Sequence, residues 1–286
     1  MINILITGSN SYIGRQLELW LNKTKHNYSI TRISLRNGTW KTMDFSKYDV
    51  IYHAAGIAHI KETKANSDLY QKVNRDLSFQ VALKAKKEKV HQFIFLSSMS
   101  VYGTKQEIIT LDTFPNPETY YGLSKLHAEQ LLESLSDESF KVAILRLPMV
   151  YGLNSKGNFT KLKNFVCKCP IFPYINNQRS MIYIDNVSEI SKQIIDDQSS
   201  GVFYPQNNEY VDTGNLVKLI GRYYGKPIIL SKGFAVLLRA MKLPMVKKLT
   251  GNLVYDKSMS EYKREYRVCN LEESIQEISN QEMKKT

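Results

Sequence analysis

An α/β fold, a doubly wound parallel sheet with a smaller C-terminal lobe, is predicted by three observations. Short apolar runs alternate with helix-periodic stretches through the first half of the chain, as in a parallel sheet covered on both faces. The first run passes straight into a glycine turn, Thr7-Gly8-Ser9-Asn10-Ser11-Tyr12-Ile13-Gly14, which opens a helix. The 286 residues are enough for a full core and a second lobe.

In order, residues 2–7 read as a buried strand, about 12–23 as a helix, and 28–35 and 49–53 as strands. Residues 69–89 are predicted helical, with Val73, Leu77, Val81 and Ala85 on one face. A strand over 92–97, a helix over 121–135 and a strand over 141–146 follow. After Tyr151 the pattern loosens, and 157–179 reads as loops rich in Pro, Asn and basic residues. Then come a strand at 181–184, a helix at 187–196 and a strand at 202–204. A helix over about 214–224 has Thr213 as its expected N-cap, and 234–249 reads as an amphipathic helix. The polar tail after Gln276 is expected to fray.

Composition excludes several classes. With 43% hydrophobic and 23% charged residues the chain has ordinary globular values, and no run approaches the roughly 18 apolar residues of a membrane span. The opening MINILITGSN lacks the features of a signal peptide, so a cytoplasmic location is expected. Cys167 and Cys169 are separated by one residue and Cys269 is remote, which suggests neither a zinc site nor a disulfide, and no metal is expected. The net charge of +12 admits nucleic acid, an anionic membrane or phosphorylated ligands. Its cations are spread along the chain and no nucleic-acid module is present, so no nucleic-acid partner is expected. Residues 232–248 set Phe234, Leu237, Leu238, Met241 and Leu243 among basic residues. That stretch reads either as a packed lobe helix or as a weak membrane-surface contact.

Two motifs carry chemistry. A glycine turn at a helix N-terminus lets backbone N–H groups approach a pyrophosphate. Tyr121 and Lys125, at i and i+4, share a helix face soon after the serine-rich end of a strand. An ammonium beside a phenol favours the phenolate, so tyrosine can exchange a proton while a hydride moves to or from nicotinamide. Each motif alone is weak; their order in one chain is specific.

Together they resemble the extended short-chain dehydrogenase/reductases of the NAD-dependent epimerase/dehydratase type, whose fold is a Rossmann-type sheet. The turn is similar to TGxxGxxG, with Ser11 replacing the middle glycine and Tyr12-Ile13 where Phe-Ile is common. Cofactor contacts are implied for Gly8, Ser11, Tyr12, Ile13, Gly14, Asp44, Phe45, Ala54, Ala55, Gly56, Asn74, Tyr121, Lys125 and Pro148. Leu35 is followed by Arg36 where NAD-preferring enzymes carry an acid. Arg36 is therefore either a contact to the 2′-phosphate of NADP(H), which is weakly favoured over NAD(H), or a solvated residue. Matching Val101-Tyr102-Gly103 makes Ser98 the third catalytic candidate with Tyr121 and Lys125, and Ser97 and Ser100 are fallbacks. The resemblance divides the chain into a dinucleotide-binding unit (1–150 plus about 182–206) and a substrate lobe (151–181 and 207–286), and implies a homodimer.

Within the family, 4,6-dehydratases carry Thr-Asp-Glu where this chain has Ser98-Met99-Ser100, and neither Met99 nor Ser100 is an acid or base. UDP-galactose 4-epimerases usually carry an asparagine near Met149, and its absence counts against that activity. Lys156–Phe159, Asn177–Ser180 and Ile182–Val187 are similar to bacterial capsule and O-antigen enzymes that reduce UDP-4-keto-6-deoxy-N-acetylhexosamines. That resemblance implies a UDP-sugar substrate touched by Ser98, Ser100, Asn158 and Arg179. A UDP-hexose 4-epimerase with tightly bound NAD, and a non-catalytic dinucleotide-binding regulator, stay open at this point.

Overall fold

The computed structural model describes residues 1–24, 27–58, 60, 62–240 and 250–284. Its centre is a six-stranded sheet of β1 (Ile2–Thr7), β2 (Tyr28–Ile33), β3 (Val50–His53), β4 (Gln92–Ser98), β6 (Lys141–Leu147) and β10 (Gly201–Phe203). The spatial order is β10-β6-β4-β3-β1-β2, with every neighbouring pair parallel. Burial on both faces explains the unbroken apolar runs. Ile4, Ile6, Ile94 and Leu96 enter one core, while Leu5, Phe93 and Phe95 enter the other, following the two-residue period of a strand. Strand order reverses at β1, between β2 and β3, which opens a crevice at the carboxyl ends of the strands.

The helices are α1 (Tyr12–Lys23), α2 (Ser67–Tyr70), α3 (Leu77–Lys87), α4 (Tyr120–Glu133), α5 (Asn158–Val166), α6 (Ile184–Asp196), α7 (Thr213–Tyr223), α8 (Lys232–Ala240) and α9 (Leu271–Met283). Smaller parallel pairs join β7 (Met149–Tyr151) to β9 (Met181–Tyr183), β5 (Ile108–Ile109) to β12 (Val254–Tyr255), and β8 (Ile171–Pro173) to β11 (Ile229–Ser231).

Four expectations are corrected. Residues 69–89 are not one α-helix: Gln71–Asp76 is π-helical between α2 and α3. The wider turn shifts the face, so Asn74 and Ser78 are buried while Val73 and Leu77 are only partly so. The stretch 157–179 is not all loop, because Phe159 and Val166 are buried along α5 and Leu162 packs partly beside them. Asp212 rather than Thr213 caps α7, accepting from Asn215 N at 2.7 Å. The tail does not fray after Gln276. Its helix α9 starts with an Asn270/Glu273 capping box, buries Ile275 and Ile278, and pairs Glu282 with Lys163 at 2.5 Å. Residues 241–249 of the predicted 234–249 helix lie outside the described residues, and α8 forms its first part.

Candidate active site

The β1–α1 turn rests against the segment that follows β3. Gly8 is left-handed (φ +83°), and a Cβ there would meet Ala55 N and Cα at 2.9 Å. A Cβ on Gly14 would stand 2.9 Å from Ile6 Cγ2 and 3.3 Å from Ala54 Cβ. Ser11 caps α1 by accepting from Gly14 N at 3.3 Å. Arg15 N–H is bonded to Ser11 O at 3.1 Å, so the N–H groups ahead of it have no partner within the helix. This cradle suits a dinucleotide pyrophosphate. Gly8→Ala is expected to destabilise the fold by about 1–3 kcal/mol through strain and contact with Ala55. Dinucleotide binding should weaken in parallel; denaturant titration and dinucleotide fluorescence check both.

Around the adenosine side the predicted residues are scattered. Arg32 braces the turn, donating to Ser9 O at 2.5 Å and pairing with Glu18 at 2.6 Å, so it is committed to the protein. Arg36 is exposed beyond β2 and has no ion pair among the described residues. Asp44 is exposed; Ser46, donating through Oγ and N at 2.6 and 2.9 Å, holds its carboxyl below the usual range. Phe45 is buried.

His53 is buried between Thr7 Oγ1, 3.0 Å from Nδ1, and Ser78 Oγ, 2.9 Å from Nε2. Ser78 donates to Asn74 O at 2.8 Å, so it accepts from Nε2–H, and Nδ1 accepts from Thr7. Burial, reinforced by Lys125, pushes the imidazole down to about 3, so it is neutral. The π-helical turn presents Asn74, whose Oδ1 accepts from Ile57 N at 2.9 Å. Its Nδ2 donates to Ile57 O and Ser124 Oγ, both at 3.0 Å. Asn74 thus ties the Ala54-Ala55-Gly56 segment to α4.

Tyr121, Lys125 and Ser98 converge. Ser98, at the end of β4, lies near enough to the Tyr121 hydroxyl to favour its phenolate and donates to Ser100 Oγ at 3.1 Å. Lys125 is buried beside Gly56, donates to Leu96 O at 2.8 Å and lies over the Phe95 ring. The first turn of α4 is held by Thr119, which accepts from Gly122 N, and by Glu62, which accepts from Tyr120 N and Tyr121 N at 3.2 and 3.1 Å. Gly122 lets Ser100 O press on the helix. Burial pushes the Tyr121 phenol up to about 12 despite the nearby Ser98, and lowers Lys125 to about 8 against the opposing pull of Glu129. The expectation that the Lys125 ammonium lowers this phenol is therefore corrected: desolvation raises it, and the opposing pull comes from Ser98.

A buried network supports this cluster. Arg146 on β6 donates to Glu129 of α4 through Nη2 at 2.6 Å and Nε at 3.1 Å, and through Nη1 to Tyr102 OH at 2.6 Å. Ser97 also donates to Glu129. Pro148 is buried between β6 and β7. Among the described residues no hydrogen bond or ion pair joins the two outer substrate candidates to the cluster. Asn158 is exposed at the start of α5. Arg179 is partly buried where 179, 211 and 253 meet. Its Nη1 donates to Gly251 O at 3.2 Å, it has no carboxylate partner among the described residues, and burial lowers its pKa. Glu62, Thr119 and Glu129 were not singled out by the sequence. Glu129 had one visible signal, its place one turn beyond Lys125.

Residues 4–204 match the family model described as NAD dependent epimerase/dehydratase family. The chain belongs to that family. It is an enzyme of α/β, Rossmann-like fold. A UDP-glucose 4-epimerase of Vibrio cholerae is 31% identical over 89% of this chain and 87% of the relative. An N-acetyl-α-D-glucosaminyl-diphospho-ditrans,octacis-undecaprenol 4-epimerase of Escherichia coli O157:H7 is 26% identical over 75% of this chain and 68% of its own length. Among solved structures, a dTDP-4-dehydrorhamnose reductase from Clostridium acetobutylicum superposes with TM-score 0.79 at 18% identity, covering 99% of this chain and 100% of that one. At that identity the likeness speaks for the fold.

Proposed function

We propose that this family member reduces the C4 ketone of a UDP-linked 4-keto-6-deoxy-N-acetylhexosamine with NAD(P)H, for cell-surface polysaccharide synthesis. The observation that supports proton donation is Tyr121: its half-buried phenol beside Ser98, pushed up to about 12 by desolvation, is protonated at neutral pH. It is poised to give a proton rather than take one. The dinucleotide, when bound, supplies the hydride to C4. Tyr121 then protonates the ketone oxygen, Ser98 orients that oxygen, and the Lys125 ammonium stabilises the phenolate left behind. Arg179, a cation without a carboxylate partner among the described residues, is assigned to the substrate diphosphate, and Asn158 and Ser100 to the sugar. Residues 151–181 and 207–286 form the substrate lobe in this reading, and a homodimer includes α4.

Stoichiometric loss of NAD(P)H absorbance with UDP-4-keto-6-deoxy-GlcNAc, and a 4-hydroxyl product by NMR, tests the proposal. A second reading, a UDP-hexose 4-epimerase retaining NAD, is favoured by the Vibrio cholerae relative. It requires interconversion of UDP-GlcNAc and UDP-GalNAc without added cofactor.

Two further outcomes are expected. NADPH preference is assigned to Arg36, exposed at the end of β2 with no acid in its place. Arg36→Ala should raise KM for NADPH about tenfold or more, the loss of one charge-assisted bond, and leave KM for NADH unchanged. The pH profile follows from Lys125, lowered to about 8, and Tyr121, raised to about 12. Reductive kcat/KM should hold below about pH 8 and fall above it as the ammonium is lost, while Tyr121 remains protonated. Lys125→Met should remove that alkaline limb.

A further inference from the structure

We propose that the outer face of the C-terminal lobe docks on an anionic lipid bilayer. In the parallel β8–β11 pair Ile171 stands opposite Ile229, and the two are 44% and 65% exposed. The ribbon runs directly into α8: Tyr174 N donates to Ser231 O at 3.0 Å, and Phe234 N to Ser231 Oγ at 3.1 Å. Phe234 and Val236 of α8 are exposed as well, Val236 by 68%. Single exposed apolar residues are ordinary, but the Ile171/Ile229 pair on the ribbon, with Phe234 and Val236 on the helix that it enters, is a candidate interaction surface.

The charge around this set identifies what covers it. Lys168 leads into β8 and Lys226 into β11, ends brought together by the Ile229 N bond to Pro170 O at 2.8 Å. Lys232 stands at the opposite end, where α8 begins. All three are exposed, with no ion pair among the described residues. A second copy would bring like charges face to face. An apolar patch rimmed by unpaired lysines complements acyl chains beneath anionic headgroups.

Cosedimentation of the full chain with phosphatidylcholine/phosphatidylglycerol vesicles, and with phosphatidylcholine vesicles, tests it. Binding is expected to the anionic vesicles only, and to weaken with added salt. The double variants Ile229→Glu/Val236→Glu and Lys226→Glu/Lys232→Glu should each reduce it about tenfold or more, with turnover of soluble substrate unchanged. Absence of binding to anionic vesicles, equal binding to both kinds, or binding retained by both variants overturns the proposal. A concentration-dependent dimer abolished by Ile229→Glu/Val236→Glu overturns it too, by giving the face to a second copy.

Discussion

Tyr121→Phe is expected to lower kcat by about 10²–10⁴-fold, the usual contribution of a positioned acid, with little change in KM. The substitution removes one oxygen and keeps the ring that packs edge-on against Tyr70 at 6.4 Å. Ser98 keeps its bond to Ser100, and Lys125 keeps its bond to Leu96 O. Dinucleotide binding and thermal stability should therefore hold while the chemical step fails. Single-turnover rates with pre-bound dinucleotide separate these effects. A variant within a few-fold of the parent would remove Tyr121 from proton transfer.

The second large effect is on stability. Glu129→Ala should cost about 3–5 kcal/mol, because it leaves the Arg146 guanidinium buried and unpaired between the rings of Tyr102 and Tyr204. Denaturant midpoints measure the loss. Replacing both partners, Glu129→Leu with Arg146→Met, should recover much of it, since the cost lies in the orphaned charge. The Glu129 charge also raises Lys125. In any folded Glu129 variant the Lys125 pKa should fall further, moving the alkaline limb of reductive kcat/KM to lower pH.

What the sequence made legible depended on whether the physics was local. The β1–α1 turn could be read because an apolar run, two glycines and a helix follow one another. Tyr121 and Lys125 could be read because one helical turn joins them. Glu62 could not: it reaches α4 from an aperiodic segment, and its partners are backbone N–H groups that leave no side-chain pattern. The Glu129–Arg146 pair requires β6 to lie beside β4 under α4, a fact of topology rather than spacing. The π-helical turn bearing Asn74 defeated a 3.6-residue period, which favoured Val73 and Leu77 for the interior. In α9, polarity concealed Ile275 and Ile278, whose three-residue spacing buries one stripe of an otherwise polar helix.

Hydride delivery to C4, with Tyr121 supplying the proton, leaves a label that can be followed. Turnover of UDP-4-keto-6-deoxy-GlcNAc with NAD(P)H deuterated at the nicotinamide C4, in protiated water, tests it most directly. Deuterium bound to carbon 4 of the sugar, with one cofactor oxidised per product, is expected by NMR and mass spectrometry. A product without deuterium at C4, or one formed without net cofactor oxidation, would contradict it.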